Sequence, residues 1–172
     1  GESLEYLLGL YYSKTENSQR FQRFNGFSPL TADTNEATES ESYAAFGQLT
    51  YPITEQLGIT AGLRYSDDQK DAHQTAVNNT PSDTTPGIPL FPGQPYDVTA
   101  SDSWNPLTGK LGLDYRTDGG NLLYATISRG HKSGIFPSQN NVVQNVGEAT
   151  PAEAVWNYAA GAQSQWLDNT LR

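Results

Sequence analysis

The chain of 172 residues has no cysteine, so a disulfide framework and a cysteine-based metal site are both excluded. Basic charge is scarce: Lys and Arg number 10 against 19 Asp and Glu, a net charge of −9. A nucleic-acid surface needs a basic patch, so that class falls away too. No apolar run approaches the 18 or so residues of a membrane helix; the longest, Tyr6 to Tyr12, is interrupted at Gly9. The opening Gly-Glu-Ser-Leu-Glu lacks the basic and apolar regions of a signal peptide. Histidine is sparse, with only His73 and His131, and they stand far apart. Asp67, Asp68 and Asp71 do not match the spacing of a calcium-binding EF-hand loop. No Gly-x-Ser-x-Gly elbow surrounds Ser128, and Ser128 and His131 fall on opposite faces of one predicted strand. The chain is therefore expected to be no enzyme, with no catalytic residue, no metal site and no cofactor.

What is present is alternation. From Leu57 to Ser66, the residues Leu57, Ile59, Ala61, Leu63 and Tyr65 share one face; Gly58, Thr60, Gly62, Arg64 and Ser66 share the other. That is the period of a strand, not a helix. The preceding arm repeats it, with Tyr43, Ala45, Gly47, Leu49 and Tyr51 against Ala44, Phe46, Gln48 and Thr50. Pro52-Ile-Thr-Glu-Gln56 links the two arms. Each arm is about as long as a tilted strand needs to cross a bilayer, roughly 9–11 residues.

Four further strands follow from the same pattern: Leu4 to Lys14, Leu107 to Tyr115, Leu122 to Lys132 and Val155 to Trp166. Thr117-Asp-Gly-Gly-Asn121 is a hairpin turn, and Asp168-Asn169 begins another. Thr150-Pro-Ala-Glu153 carries a helix-start signal, but Trp156, Tyr158, Ala160, Ala162 and Trp166 share a face only in a strand. Long loops are expected over Thr15–Ser42, Asp67–Ser103 and Ser133–Ala154. Phe21, Phe24 and Phe27 suggest that the first packs on itself, and the second holds five prolines, from Pro81 to Pro95. Short links after strands two, four and six, and long ones after strands one, three and five, match the short periplasmic turns and long extracellular loops of a transmembrane barrel.

The fold expected is all-β: an antiparallel transmembrane β-barrel segment of about six up-and-down strands. Tyr12, Tyr43, Tyr65 and Trp156 fall at the long-loop end of the apolar face, and Tyr51, Tyr115 and Trp166 at the short-turn end, as two membrane-girdle rows. Arg64, Lys110, Asp114, Asn157 and Gln163 fall on the opposite, lumen-facing side. Trp104 has the parity of the lumen side unless Pro106 breaks the strand.

Several stretches resemble the barrel of TonB-dependent outer-membrane receptors. They are the hairpin Tyr43-Ala-Ala-Phe-Gly-Gln-Leu-Thr-Tyr51 with Leu57-Gly-Ile-Thr-Ala-Gly-Leu-Arg-Tyr65, the segment Leu122-Leu-Tyr-Ala-Thr-Ile-Ser-Arg-Gly-His-Lys-Ser-Gly134, and Glu153-Ala-Val-Trp-Asn-Tyr-Ala-Ala-Gly161 continuing to Asn169. His131 stands where that family has an aromatic residue, and Ile135 where it has a second glycine. Pro151 lies one residue too far from Glu153, and Ala159 and Gln163 replace a Glu and a Lys. The resemblance implies a barrel of about 22 strands, plugged by an N-terminal domain. Such a receptor imports a scarce solute, most often a ferric siderophore or similar metal chelate, with energy passed on by the TonB protein. It implies the outer membrane of a Gram-negative bacterium, with lipid and lipopolysaccharide around the wall. Residues 1–172 are then expected to be an internal part of the barrel domain, with plug, TonB box and remaining strands elsewhere.

Two alternatives stand beside this reading: a passive porin-like barrel, and a soluble carbohydrate-binding β-sandwich, whose apolar faces would meet each other. For ligand contact the candidates are Arg129, His131 and Lys132, at the outer end of the fifth strand, where an anionic ligand would approach. Their plainer role is to meet lipopolysaccharide phosphates or acidic loops. Tyr96, Phe91 and Trp104 are candidates for stacking on a ring; packing within their own loop explains them equally well.

Overall fold

Alternation over this chain produces one antiparallel sheet. The computed structural model describes residues 4–24, 31–78, 96–137 and 147–164. Its strands are β1 (Glu5–Phe24), β2 (Thr31–Pro52), β3 (Leu57–Asn78), β4 (Tyr96–Trp104), β5 (Leu107–Arg116), β6 (Leu122–Lys132) and β7 (Glu153–Gln163). The order across the sheet is β1-β2-β3-β5-β6-β7, with β4 also paired to β3. Trp166, the Asp168-Asn169 turn, Phe27, Phe91 and Pro81 to Pro95 lie outside the described residues.

Residues directly opposite each other in an antiparallel pair share a face. The register therefore carries one face across the whole sheet. Tyr12 faces Tyr43, Leu8 faces Gly47, Gly47 faces Leu63, Leu63 faces Gly109, Gly109 faces Arg129 and Arg129 faces Trp156. The apolar residues of this face are open: Leu10 is 87% exposed, Leu8 74%, Tyr6 73%, Tyr158 70% and Leu63 64%. Among the described residues the buried apolar side chains are only Ala44, Ala72, Ala76 and Phe136. A sandwich would bury its apolar face against a second layer; here that face meets no protein, so the sandwich alternative is set aside. An uncovered apolar surface of this extent belongs against lipid or a partner.

Glycines on both faces sit directly opposite larger residues that lean over them. Phe46 lies over Gly9, Asp114 over Gly58 and Tyr124 over Gly161 on the polar face; Leu8 lies over Gly47 and Leu63 over Gly109 on the apolar face. Each glycine leaves the space its neighbour fills, which closes the surface without a second layer.

Three features differ from the sequence expectation. Thr15–Ser42 is not a loop: β1 runs on to Phe24 and β2 starts at Thr31, paired residue for residue. Likewise β3 runs on to Asn78 and β4 returns along it from Tyr96. At about 3.3 Å per residue the 20 residues of β1 reach roughly 65 Å, about twice a bilayer core. Polar side chains on both faces hide the alternation there, while the ladder still satisfies the backbone. Finally, the expected fourth strand has a companion, giving seven strands in six lanes. Pro106 cannot donate to the ladder, so β4 and β5 separate at residues 105–106. The register does not slip across this gap: Asp68 faces Trp104 and Tyr65 faces Leu107, which keeps one parity.

The helix-start signal at Thr150 loses to tertiary pairing, and β7 is a strand along β6. The short turns tie together at one end. Arg116 N donates to Gln56 O at 2.8 Å, Tyr115 Oη to Gln56 Oε1 at 3.1 Å, and Gln56 Nε2 to Asp118 Oδ1. In the second turn Thr117 N donates to Asn121 O at 2.9 Å, and Gly120 has φ +79°. A β-branched residue there is strained by about 1–2 kcal/mol. Gly120→Val is expected to lower unfolding free energy by that amount, read from a urea titration of the reconstituted protein.

Candidate functional site

The candidate site is on the polar face, at the end away from the short turns. Along β3 this face reads Asp68, Lys70, Ala72, Gln74, Ala76, polar and small residues in turn. The chain leaving β6 lies across this row as a strap, Ser133–Pro137. Ser133 Oγ donates to Asp68 Oδ2 at 2.6 Å. Lys70 Nζ donates to Gly134 O at 2.6 Å. Gln74 Nε2 donates to Pro137 O at 2.9 Å. The strap is held from above by the chain approaching β7, through Thr150 N to Ile135 O at 2.8 Å and Ile135 N to Thr150 Oγ1 at 3.0 Å.

Phe136 of the strap is buried, and so are Ala72, Gln74 and Ala76 on the row of β3. Glu36 on β2 is also buried, with its carboxylate accepting from Gln19 Nε2 at 2.9 Å and Gln74 Nε2 at 3.2 Å. Between strap and wall remains a cavity of about 550 Å³. Its wall carries Asn17, Gln19, Glu36 and Ser40, and its roof Ile135 and Phe136. Hydrogen-bonding groups on one side and an aromatic lid on the other suit a polar ligand with an apolar flank.

Lys70 joins the wall to the strap. Its ammonium lies 5.5 Å from the centroid of the Trp104 ring, within cation–π range. Burial holds its pKa below the ordinary lysine value; Asp68 opposes that shift and Lys132 adds to it.

Of the sequence-predicted ligand residues, the structure brings Trp104 to the strap, because the unbroken register through Pro106 keeps it on the polar face with Asp68. Tyr96 is on the same face, facing Ala76. Lys132 is there too, facing Glu153. Arg129 and His131 are not: Arg129 faces Gly109 and Trp156, and His131 faces Ala154, on the other side of the sheet. The three cations are therefore divided between the faces and do not form one group. His131 Nε2 is shielded from water and without a hydrogen-bond partner among the described residues.

Arg64, Lys110, Asp114, Asn157 and Gln163 all share the polar face. Arg64 stacks on Tyr11 at 4.8 Å and bonds Ser66 Oγ through Nε at 3.1 Å. On the apolar face Tyr12 and Tyr43 pack with ring centroids 4.9 Å apart, and both hydroxyls reach Glu41. Beyond them Lys14 meets Glu39 at 2.6 Å, and that contact raises its pKa. Tyr65 and Trp156 stand on the same apolar face toward this end, and Tyr51 and Tyr115 toward the short turns. Among the described residues no group of three or more His, Cys, Asp or Glu is placed to share a metal ion.

Glu36, Lys70, Gln74 and Phe136 were not singled out from the sequence. The signal that would have found the first three is even spacing on β2 and β3 beyond Ser42 and Ser66, continuing the polar-face parity.

The sequence matches the family described as TonB dependent receptor-like, beta-barrel over residues 1–172. It is 26% identical over 175 residues to the pesticin receptor of Yersinia enterocolitica serotype O:8 / biotype 1B, covering 99% of this chain and 23% of that protein. The pesticin receptor of Yersinia pestis is 25% identical over the same length. Among solved structures, the ferric yersiniabactin uptake receptor FyuA from Yersinia pestis superposes with a TM-score of 0.76 at 20% identity, covering 96% of this chain and 24% of that one. The chain thus spans about a quarter of the length of the relatives it matches.

Proposed function

The chain belongs to the TonB-dependent receptor-like β-barrel family, and on that premise we propose that it is part of the wall of an active-transport receptor in the outer membrane of a Gram-negative bacterium. The family is one of receptors, not enzymes. Here the apolar face meets lipid, with Tyr12, Tyr43, Tyr65 and Trp156 at the outer boundary and Tyr51 and Tyr115 at the inner one. The polar face, with Arg64, Lys110, Asp114, Asn157 and Gln163, lines the lumen.

The solute is a ferric siderophore, taken up with energy delivered by TonB through parts of the receptor outside these residues. The observation that carries this reading is the strapped cavity beside Lys70 and Glu36: a passive pore wall has no need of a roofed pocket at its outer mouth. Lys70, Trp104, Tyr96 and Lys132 are the residues of this chain proposed to meet the ligand or to hold what meets it. Arg129 and His131, on the lipid side, are left out of that set.

The test is uptake of iron-59 as a siderophore complex by cells whose only receptor is the full-length protein. Uptake is expected to disappear when TonB is deleted. Uptake that persists without TonB would make the barrel a passive pore.

A further inference from the structure

We propose that the strapped cavity selects ferric chelates by charge: it receives a primary alkylammonium arm of the chelate, with Glu36 as the ion-pair partner. The proposal rests on the siderophore reading and gives it a substrate class, the cationic chelates.

The wall under the strap is rich in acceptors and short of donors. Glu36 is 4% exposed. Its carboxylate is held by neutral groups alone: Gln19 Nε2 at 2.9 Å, Gln74 Nε2 at 3.2 Å and Thr38 Oγ1 at 3.5 Å. A carboxylate this deep is costly without a cation. Among the described residues no Lys, Arg or His forms an ion pair with it. Gln74 is 2% exposed, and its Oε1 is buried with no hydrogen-bond partner among the described residues. The amide is not turned the wrong way round. Its Nε2 meets Glu36 Oε1 and Pro137 O, two acceptors that an oxygen in the same place would repel. Carboxylate and amide oxygen are thus neighbouring buried acceptors that lack a donor.

Lys70 also lines the cavity but does not answer Glu36. It is four residues along β3 from Gln74, the residue facing Glu36, a rise of about 13 Å. Its ammonium is committed to Gly134 O and the Trp104 ring, with Asp68 next to it on the same face. Lys132 in turn faces Glu153. One negative charge is left over, at the Glu36 end. An ammonium has three donors and no acceptor, which suits a carboxylate and an unpartnered amide oxygen together. Ile135 and Phe136 in the roof suit the methylene stem that carries it. The same carboxylate repels an anionic chelate, strongly so where water is excluded.

The experiment measures equilibrium binding of iron-59 chelates to the full-length receptor in detergent. The probes are ferrioxamine B, a trihydroxamate with one pendant pentylammonium arm; N-acetylferrioxamine B, the same chelate with that arm neutral; and ferric enterobactin, a trianionic tris-catecholate. Wild type is expected to bind the first about tenfold more tightly than the second, and the third more weakly than either. Glu36→Gln is expected to lose that preference while binding the neutral chelate as wild type does. Glu36→Asp, which keeps the charge, is expected to retain it. Glu39→Gln removes a carboxylate that pairs with Lys14 on the other face of the sheet, and is expected to behave as wild type. Equal affinities of wild type for the first two chelates overturn the proposal, and that comparison needs no variant. So does a preference that survives in Glu36→Gln, or one lost equally in Glu39→Gln. Binding of all three chelates without regard to charge overturns this inference and leaves the siderophore reading standing; binding of none overturns both.

Discussion

Leu8→Arg is expected to destabilise the full receptor in lipid vesicles by about 2–4 kcal/mol, the cost of a lipid-facing arginine at the bilayer midplane. Leu8 faces Gly47, which stands four residues from Tyr43 and four from Tyr51, midway between the two boundary rows. Leu7→Arg, one residue away on the polar face, is expected to cost about 1 kcal/mol or less, within the range of a substitution that meets water. Both leucines are more than half exposed, at 74% and 56%. If water bathed both faces, the two variants would behave alike. Unfolding in urea from vesicles, with each variant measured beside wild type, separates the cases. Equal stabilities would remove the membrane assignment of this face.

The second large effect is at Gly134. A Cβ placed there would fall on the carbonyl oxygen of Thr150 and within 2.6 Å of Trp104 Cζ2. The first obstacle is backbone and the second a ring carried by β4, so a side chain at 134 collides with the covering chain and with the wall at once. Gly134→Val is therefore expected to push the strap off β3. Overpacking of this kind costs about 1–3 kcal/mol or more, enough to shift the population of the seated strap about tenfold or beyond. The wall itself should survive, because β1 to β7 pair without help from the strap. The expected result is siderophore-dependent iron uptake reduced about tenfold, with wild-type amounts of receptor that still migrates as a compact barrel before heating. Unchanged uptake would show that the cavity under the strap plays no part in transport.

Much of this wall is legible in the chain. A strand alternates locally, so Leu57, Ile59, Ala61, Leu63 and Tyr65 declare a shared face without reference to any partner. Arg64, Lys110 and Asp114 fall on the opposite face by the same count. The Asp118-Gly119-Gly120 turn is also a local property, since position 120 needs φ > 0. In β7, Trp156, Tyr158, Ala160 and Ala162 share one side only as a strand, which competes with the helix-start signal; pairing with β6 settles it.

Only the tertiary structure decided the rest, and in each case the cause is a contact far away in sequence. Thr15 to Phe24 has polar residues on both faces, so nothing local marks it as a strand; pairing with Thr31 to Ser40 does. Trp104 takes its side from its register with Asp68, which passes Pro106 without a slip. Arg129, His131 and Lys132 look like one cationic group in sequence, and strand parity divides them. Above all, the strap is invisible to periodicity. Its seat depends on Asp68, Lys70 and Gln74, more than sixty residues earlier in the chain. A repeating pattern specifies which face a residue takes, whereas what covers that face depends on where the whole chain returns.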